Sequence, residues 1–244
     1  MIQKYPQIKP MGDRAILINF KPEINENLLE KLMNLKNIIE NNLVEDKVEV
    51  INTYHSLLIV YAFTIDNIYG KISGLEELVS RANIGKKINS QIYHIPVCYN
   101  EEFGLDLELL SKEKNLKISE IIQLHTAPTY TVYFTGFLPG FLYLGGLDSK
   151  LQISRKSSPR MKVEKGAVGI GEKQTGIYPE ISPGGWQIIG NSPVTFFDKN
   201  RNPPCVISAG DKVKFYSITK TKYLEISEEI KADNFQLNSE KYHG

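Results

Sequence analysis

Residues 136–193 place eleven glycines and five prolines among aromatic and aliphatic side chains. That density limits what this chain can fold into. Glycine suits positions of positive φ or close approach, and proline fixes φ while removing a donor. Long helices and flat, uninterrupted strands are therefore excluded here. Gly136, Pro139, Gly140, Gly145 and Gly146 turn the chain repeatedly, and Phe137, Phe141 and Tyr143 between them line or support a concavity. Two readings fit: tight β-turns with no ligand, or a backbone surface that a ligand approaches.

After Pro128 helical periodicity disappears. Short β-rich runs (TYTVYFTGF, AVGIG, WQIIG, KVKFYSI) alternate with Gly and Pro turns, the pattern of a barrel or sandwich. Upstream, AILINF reads as a strand, and Leu28, Leu32, Leu35, Ile39 and Leu43 paint one face of a helix. KVEVIN and SLLIVYAF read as paired strands, and Ile68, Ile72, Leu75 and Val79 as a second helical stripe. With QIYHIPV as its last strand, the order is βαββαβ, which is ferredoxin-like. The expected division is an α+β domain over 1–98, connecting helices over 99–128, an all-β barrel or sandwich over 129–217 and a polar tail over 218–244. That tail is expected to add a strand at KYLEI and then fray.

Lysine plus arginine number 29 against 28 aspartate plus glutamate, so no net field attracts nucleic acid or an anionic membrane. Cys98 and Cys205 are too few for a disulfide framework and are expected to be reduced thiols. No stretch approaches the roughly 18 apolar residues of a membrane span, and MIQKYPQIKP has no signal-type apolar run. A cytoplasmic protein is expected. The histidines His55, His94, His125 and His243 share no ligand spacing, so no metal site is expected. Gly166 and Gly171 have P-loop spacing, but Glu172 stands where the lysine belongs. Ser182 lies outside any GxSxG elbow.

In order and spacing, GFLPGFLYLGGLD, SPRMKV, GAVGI, QTGIYP and SPGGWQIIG resemble the B-subunit family of bacterial 5-oxoprolinase. The family was formerly described as allophanate hydrolase subunit 1 and includes the kinase A inhibitor proteins. The resemblance extends to GDRAILINF, SLLIVY, IPVCYNEEFGLDLELL and LHTAPTYTVYFTGF, and reaches about residue 217. It implies a cyclophilin-like β-barrel over 129–217 and an ATP-dependent opening of 5-oxo-L-proline to L-glutamate. In that reaction ATP phosphorylates the unreactive lactam carbonyl oxygen and water then cleaves the ring. It also implies the 5-oxoprolinase A and C subunits as partners. The B and C subunits would act in the activating step, with ATP and magnesium shared with a partner. Two alternatives follow from the same resemblance: inhibition of a sensor histidine kinase, and an accessory role in urea or allophanate metabolism.

The candidate catalytic residues are His125, Arg160, Gln174 and Tyr178, and the candidate ligand-binding residues are Phe137, Pro139, Gly140, Phe141, Tyr143, Thr175, Gly176, Gly184 and Gly185. His125 either relays a proton or caps its helix. Arg160 offers a fork for carboxylate or phosphate or else pairs with a carboxylate such as Asp148, and Arg155 is a weaker version of the same candidate. Gln174, Thr175 and Tyr178 either orient a lactam carbonyl or satisfy barrel backbone. Trp186 reads as a barrel-core residue. The expected functional concavity is bordered by Phe137–Tyr143, Arg160 and Gln174–Tyr178, and faces the C subunit. The chain departs from the family pattern at Ser149, Ser154, Glu164, Lys165 and Asn191. Asn191 replaces a frequent arginine, which puts an anion-binding role for that position in question.

Overall fold

The computed structural model describes residues 4–81 and 90–242; His243 lies outside them. The chain divides into two compact units, residues 1–88 and 89–244.

The first unit carries β1 (Gln7–Pro10), β2 (Ala15–Asn19), α1 (Glu26–Asn42), β3 (Val48–Asn52), β4 (Ser56–Tyr61) and α2 (Ile68–Arg81). Its sheet is antiparallel in the order β1-β2-β4-β3. The expected apolar stripe of α1 packs Leu32, Leu35 and Ile39 against Ile16, Ile18, Leu57 and Ile59. Asn25 starts this helix by accepting from the Asn27 and Leu28 amides. The order is thus ββαββα. The hairpin strand β1 takes the edge beside β2 that the expected last strand of a βαββαβ sheet would occupy.

That expected strand, β5 (Gln91–Cys98), belongs to the second sheet instead, so the boundary at residue 98 is corrected. Seven residues of β5 pair in parallel with β13 (Lys212–Ile218), from Ile92↔Lys212 to Cys98↔Ile218. Its inward side chains Tyr93, Ile95 and Val97 join the larger core. Alternation marks β5 as a strand but says nothing about its partner, which lies some 120 residues away, the offset of the Ile92↔Lys212 pair.

The helices α3 (Leu107–Lys114) and α4 (Ile118–Thr126) follow β5 and pack on barrel strands. Then come β6 (Tyr130–Thr135), β7 (Leu142–Gly145), β8 (Arg160–Val163), β9 (Ala167–Gly171), β10 (Gln174–Ile177), β11 (Ser182–Gly184) and β12 (Gln187–Asn191). The chain ends with α5 (Lys220–Lys231) and β14 (Ser239–Lys241). The eight-stranded sheet runs β12-β9-β10-β7-β6-β13-β5-β14, and a β12–β5 bridge closes its first seven strands into a barrel. A separate ribbon, β8 with β11, lies outside that closure.

The tail differs from expectation. KYLEI lies within α5, which is capped by the Thr219 hydroxyl, and β14 then pairs with β5. KYLEI has strand-like composition, yet only Ile226 of this helix is buried. Its exposed faces are laced by Lys222–Glu225 and Lys231–Glu228 pairs instead.

Candidate functional site

The strands β7, β9 and β10 are two-faced. Leu142, Leu144, Val168, Ile170 and Ile177 point into the barrel core. The alternate positions carry Tyr143, Gly169, Gly171 and Gly176 on the outer face, and Tyr178 follows in the same phase. Phe141, Tyr178 and Trp186 pack with Val163 and Ile188 into a second apolar layer there. Trp186 is therefore buried against the outside of the barrel wall, which corrects the barrel-core expectation.

Glycine makes that layer possible. A Cβ on Gly171 would come within 2.6 Å of the indole, and one on Gly176 would meet its Cζ3 at 3.0 Å. The aromatic rings then interlock edge to face: Phe141 lies 5.1 Å from Tyr178 and 5.4 Å from Trp186, at 88° and 81°. Above them opens a recess of about 270 Å³, lined by Phe137, Phe141, Tyr143, Tyr178, Trp186 and Arg155, with Pro159, Pro183, Gly184 and Gly185 at its margins. Phe137 holds φ at 67° and is 62 % exposed. A bulky side chain in that backbone region is strained, and such positions cluster at functional sites.

The structure thus unites six of the expected site residues: Phe137, Phe141, Tyr143, Tyr178, Gly184 and Gly185. Pro139 and Gly140 form the supporting turn. Gly140 has φ of 82°, and a Cβ there would meet Phe197 Cβ at 2.9 Å. Burial pushes the Tyr178 phenol pKa upward, by more than the nearby Trp186 backbone N–H lowers it. The hydroxyl therefore keeps its proton near neutral pH.

His125 is elsewhere. It is fully buried inside the barrel unit, stacked on Phe215 at 4.7 Å. Thr175 Oγ1 donates to the Gly169 carbonyl, so it must accept from His125 Nε2 at 3.0 Å, and Tyr99 donates to His125 Nδ1 at 2.7 Å. Burial holds the imidazole pKa down, to about 3. Both nitrogens are used, and neither reaches the recess. His125 and Thr175 form an internal polar bridge between α4 and β10, and no surface accessible to ligand. Gln174 opens β10 opposite Gly171 with a buried carbonyl oxygen that no donor meets, and it does not line the recess. Thr175 and Gly176 are likewise beneath the surface.

Arg160 is committed to protein. Its two terminal nitrogens meet both oxygens of Asp106 at 2.8 and 2.7 Å, and the Ile188 amide donates to the same carboxylate at 2.6 Å. Asp106 is 4 % exposed and ties the start of α3 to β8 and β12. The carboxylate partner is therefore Asp106, and Asp148 instead accepts from the Lys150 amide. Arg155 is the cation that lines the recess, 5.7 Å above the Trp186 ring. Sequence ranked the two arginines the other way because nothing local to Arg160 points to Asp106, 54 positions away. Asn191 is structural: it donates to the Lys165 carbonyl at 2.8 Å and accepts from Tyr223 of α5 at 2.9 Å.

The stretch 166–171 is no phosphate cradle, since Ala167–Gly171 is β9 and is laddered on both sides. Among the described residues, no three His, Cys, Asp or Glu side chains group as a metal cage, and no helix is long and apolar enough to cross a membrane.

Residues 6–207 match the family model for the carboxyltransferase domain, subdomain C and D. The chain is 40 % identical over 233 residues to the 5-oxoprolinase B subunit of Bacillus subtilis, covering 91 % of this chain and 97 % of that one. It is 38 % identical over 208 residues to the Haemophilus influenzae B subunit, covering 85 % and 96 %. A conserved uncharacterized protein from Pyrococcus horikoshii is 40 % identical, with a TM-score of 0.53 over 89 % of this chain and all of that one. Kluyveromyces lactis urea carboxylase shares the fold, with a TM-score of 0.83 at 20 % identity over 96 % of this chain, which spans 24 % of that protein. Urea amidolyase of Saccharomyces cerevisiae is 23 % identical over 94 % of this chain and 14 % of its own length. With near full-length matches at 38 and 40 % identity, the chain belongs to the 5-oxoprolinase B-subunit family, within the carboxyltransferase domain family of subdomains C and D.

Proposed function

We propose that this chain is the B subunit of an ATP-dependent 5-oxoprolinase, opening 5-oxo-L-proline to L-glutamate together with A and C subunits, and that the outer-face recess is its small-molecule site. The observation that carries the reading is the 40 % identity that runs through 97 % of a 5-oxoprolinase B subunit. The recess supports it, because segments matched by that family (GFLPGFLYLGG, QTGIYP, SPGGW) supply most of its lining. We read the first unit as a ferredoxin-like sheet completed by its N-terminal hairpin, and the second as a cyclophilin-like barrel.

Neither the P-loop-like run of residues 166–171 nor Arg160 offers a phosphate cradle. The glycines of β9 are laddered, and the Arg160 fork is taken by Asp106. In this reading ATP and magnesium belong to a surface completed by a partner. What the chain contributes is an aromatic floor, a protonated phenol and a cation in the lining. Two exposed apolar side chains, Phe137 in the recess lining at 62 % and Met161 on the outer ribbon at 85 %, suit a surface that the C subunit covers.

A second reading, an accessory module in urea or allophanate chemistry, draws on the similarity to urea amidolyase. Reconstitution separates them. The chain is purified with candidate A and C subunits and assayed for ATP-dependent glutamate release from 5-oxo-L-proline. Turnover is expected from the complete complex and not from the chain alone. A complete complex without turnover refutes the proposal, and a biotin-carboxylase gene neighbour in place of A and C genes favours the second reading.

A further inference from the structure

The recess has one charged side chain in its lining, Arg155. Neighbouring cations are already matched: Arg160 is bidentate on Asp106, and Lys156 Nζ stands 3.6 Å from the same carboxylate. No carboxylate pairs with Arg155 among the described residues; its partner is the face of Trp186, 5.7 Å away. Stacking on an indole orients the guanidinium plane and leaves its N–H edge free for a planar anion. Across the aromatic floor, Tyr178 lines the same recess, and burial keeps its hydroxyl protonated.

We infer that Arg155 anchors the carboxylate of a small cyclic amide acid in the recess, while the Tyr178 hydroxyl donates to that ligand's ring carbonyl. The inference rests on the proposed function for the ligand's identity, 5-oxo-L-proline, and adds which groups read it. The ligand has three kinds of surface, and each meets its complement. The methylene edge lies on Trp186 and Phe141, the carboxylate meets the recess's single cation, and the carbonyl oxygen meets a neutral donor. That hydrogen bond would fix the direction of the ring carbonyl and leave the oxygen's second lone pair for phosphorylation. An anionic group at this position would repel the carbonyl; burial keeps Tyr178 protonated.

Trp186 is the only tryptophan in the chain, so its fluorescence reports occupancy directly. The full chain is titrated with 5-oxo-L-proline and with 2-pyrrolidinone, the same ring without the carboxylate. The wild type should prefer the acid by about 10- to 100-fold, the range of a hydrogen-bonded charge pair. Arg155→Ala should erase that preference while pyrrolidinone affinity stays, and Arg155→Lys should retain part of it. Tyr178→Phe should weaken both ligands by similar factors. Equal wild-type affinity for the two compounds, survival of the preference in Arg155→Ala, or no saturable binding of 5-oxo-L-proline would each overturn the inference. If the preference survives that substitution while the complete complex releases glutamate, the anchor is wrong and the proposed function stands. If the preference is lost but no complex turns over, Arg155 reads a carboxylate and the substrate assignment fails.

Discussion

His125 and Arg160 show how a reactive side chain can be consumed by its own protein. The imidazole has a folded pKa of about 3 against 6.5 for the free group. Because the folded value is depressed, the stability linked to it is complete above about pH 6.5 and is lost as pH falls toward 3. Urea unfolding should therefore show ~2 kcal/mol less stability at pH 5 than at pH 7 from this group, a difference that His125→Gln removes. An unchanged pH dependence in the variant would contradict neutral burial. For the Arg160–Asp106 pair, Asp106→Ala should cost about 3–5 kcal/mol, because it strands a partly buried guanidinium and the Ile188 amide. Arg160→Ala should accordingly lower Tm. Loss of turnover without loss of Tm would return Arg160 to the chemical machinery.

At the scale of elements, the outer face of β9 and β10 exists because glycine alternates with core aliphatics. Gly171→Ala drives a methyl into the indole, whose atoms lie 2.6 Å from the added carbon. The expected outcome is a cost of about 1–3 kcal/mol and a red shift of Trp186 fluorescence as the ring leaves its seat. An unshifted spectrum at native stability would mean that Trp186 is held by something other than this packing. The glycine and aromatic spacing made the concavity and most of its lining legible in the sequence, because close approach and ring burial are local demands. The helices α1 and α2 were legible for the same reason, through their 3.6-residue stripes. Pairing across distance was not. Nothing local tells β5 to join β13 rather than β2, and nothing near Arg160 announces Asp106 from 54 positions away. The helix α5 was hidden by having almost no apolar face to display.

At the scale of the whole molecule, the proposed chemistry lies entirely on the barrel unit. The exposed ribbon beside the recess should be an assembly surface. Met161→Asp, at a side chain 85 % exposed, should weaken co-purification with the C subunit while leaving stability within about 0.5 kcal/mol of the native value. Undiminished assembly would place the partner elsewhere. The central claim is that the outer-face recess is the small-molecule site of a 5-oxoprolinase B subunit, and Gly185 offers the most direct test. A Cβ there meets only Lys156 O at 3.7 Å and Pro159 at 3.8 Å or beyond, so a larger side chain can fill the recess without disturbing the backbone. The measurement is ATP-dependent glutamate release by the assembled complex carrying Gly185→Leu, with Tm and assembly followed alongside. A loss of at least about 10-fold with Tm and assembly preserved is the expected result, since ligand and leucine compete for one volume. Full turnover by a folded, assembled Gly185→Leu complex would contradict the claim and move the chemistry off this face.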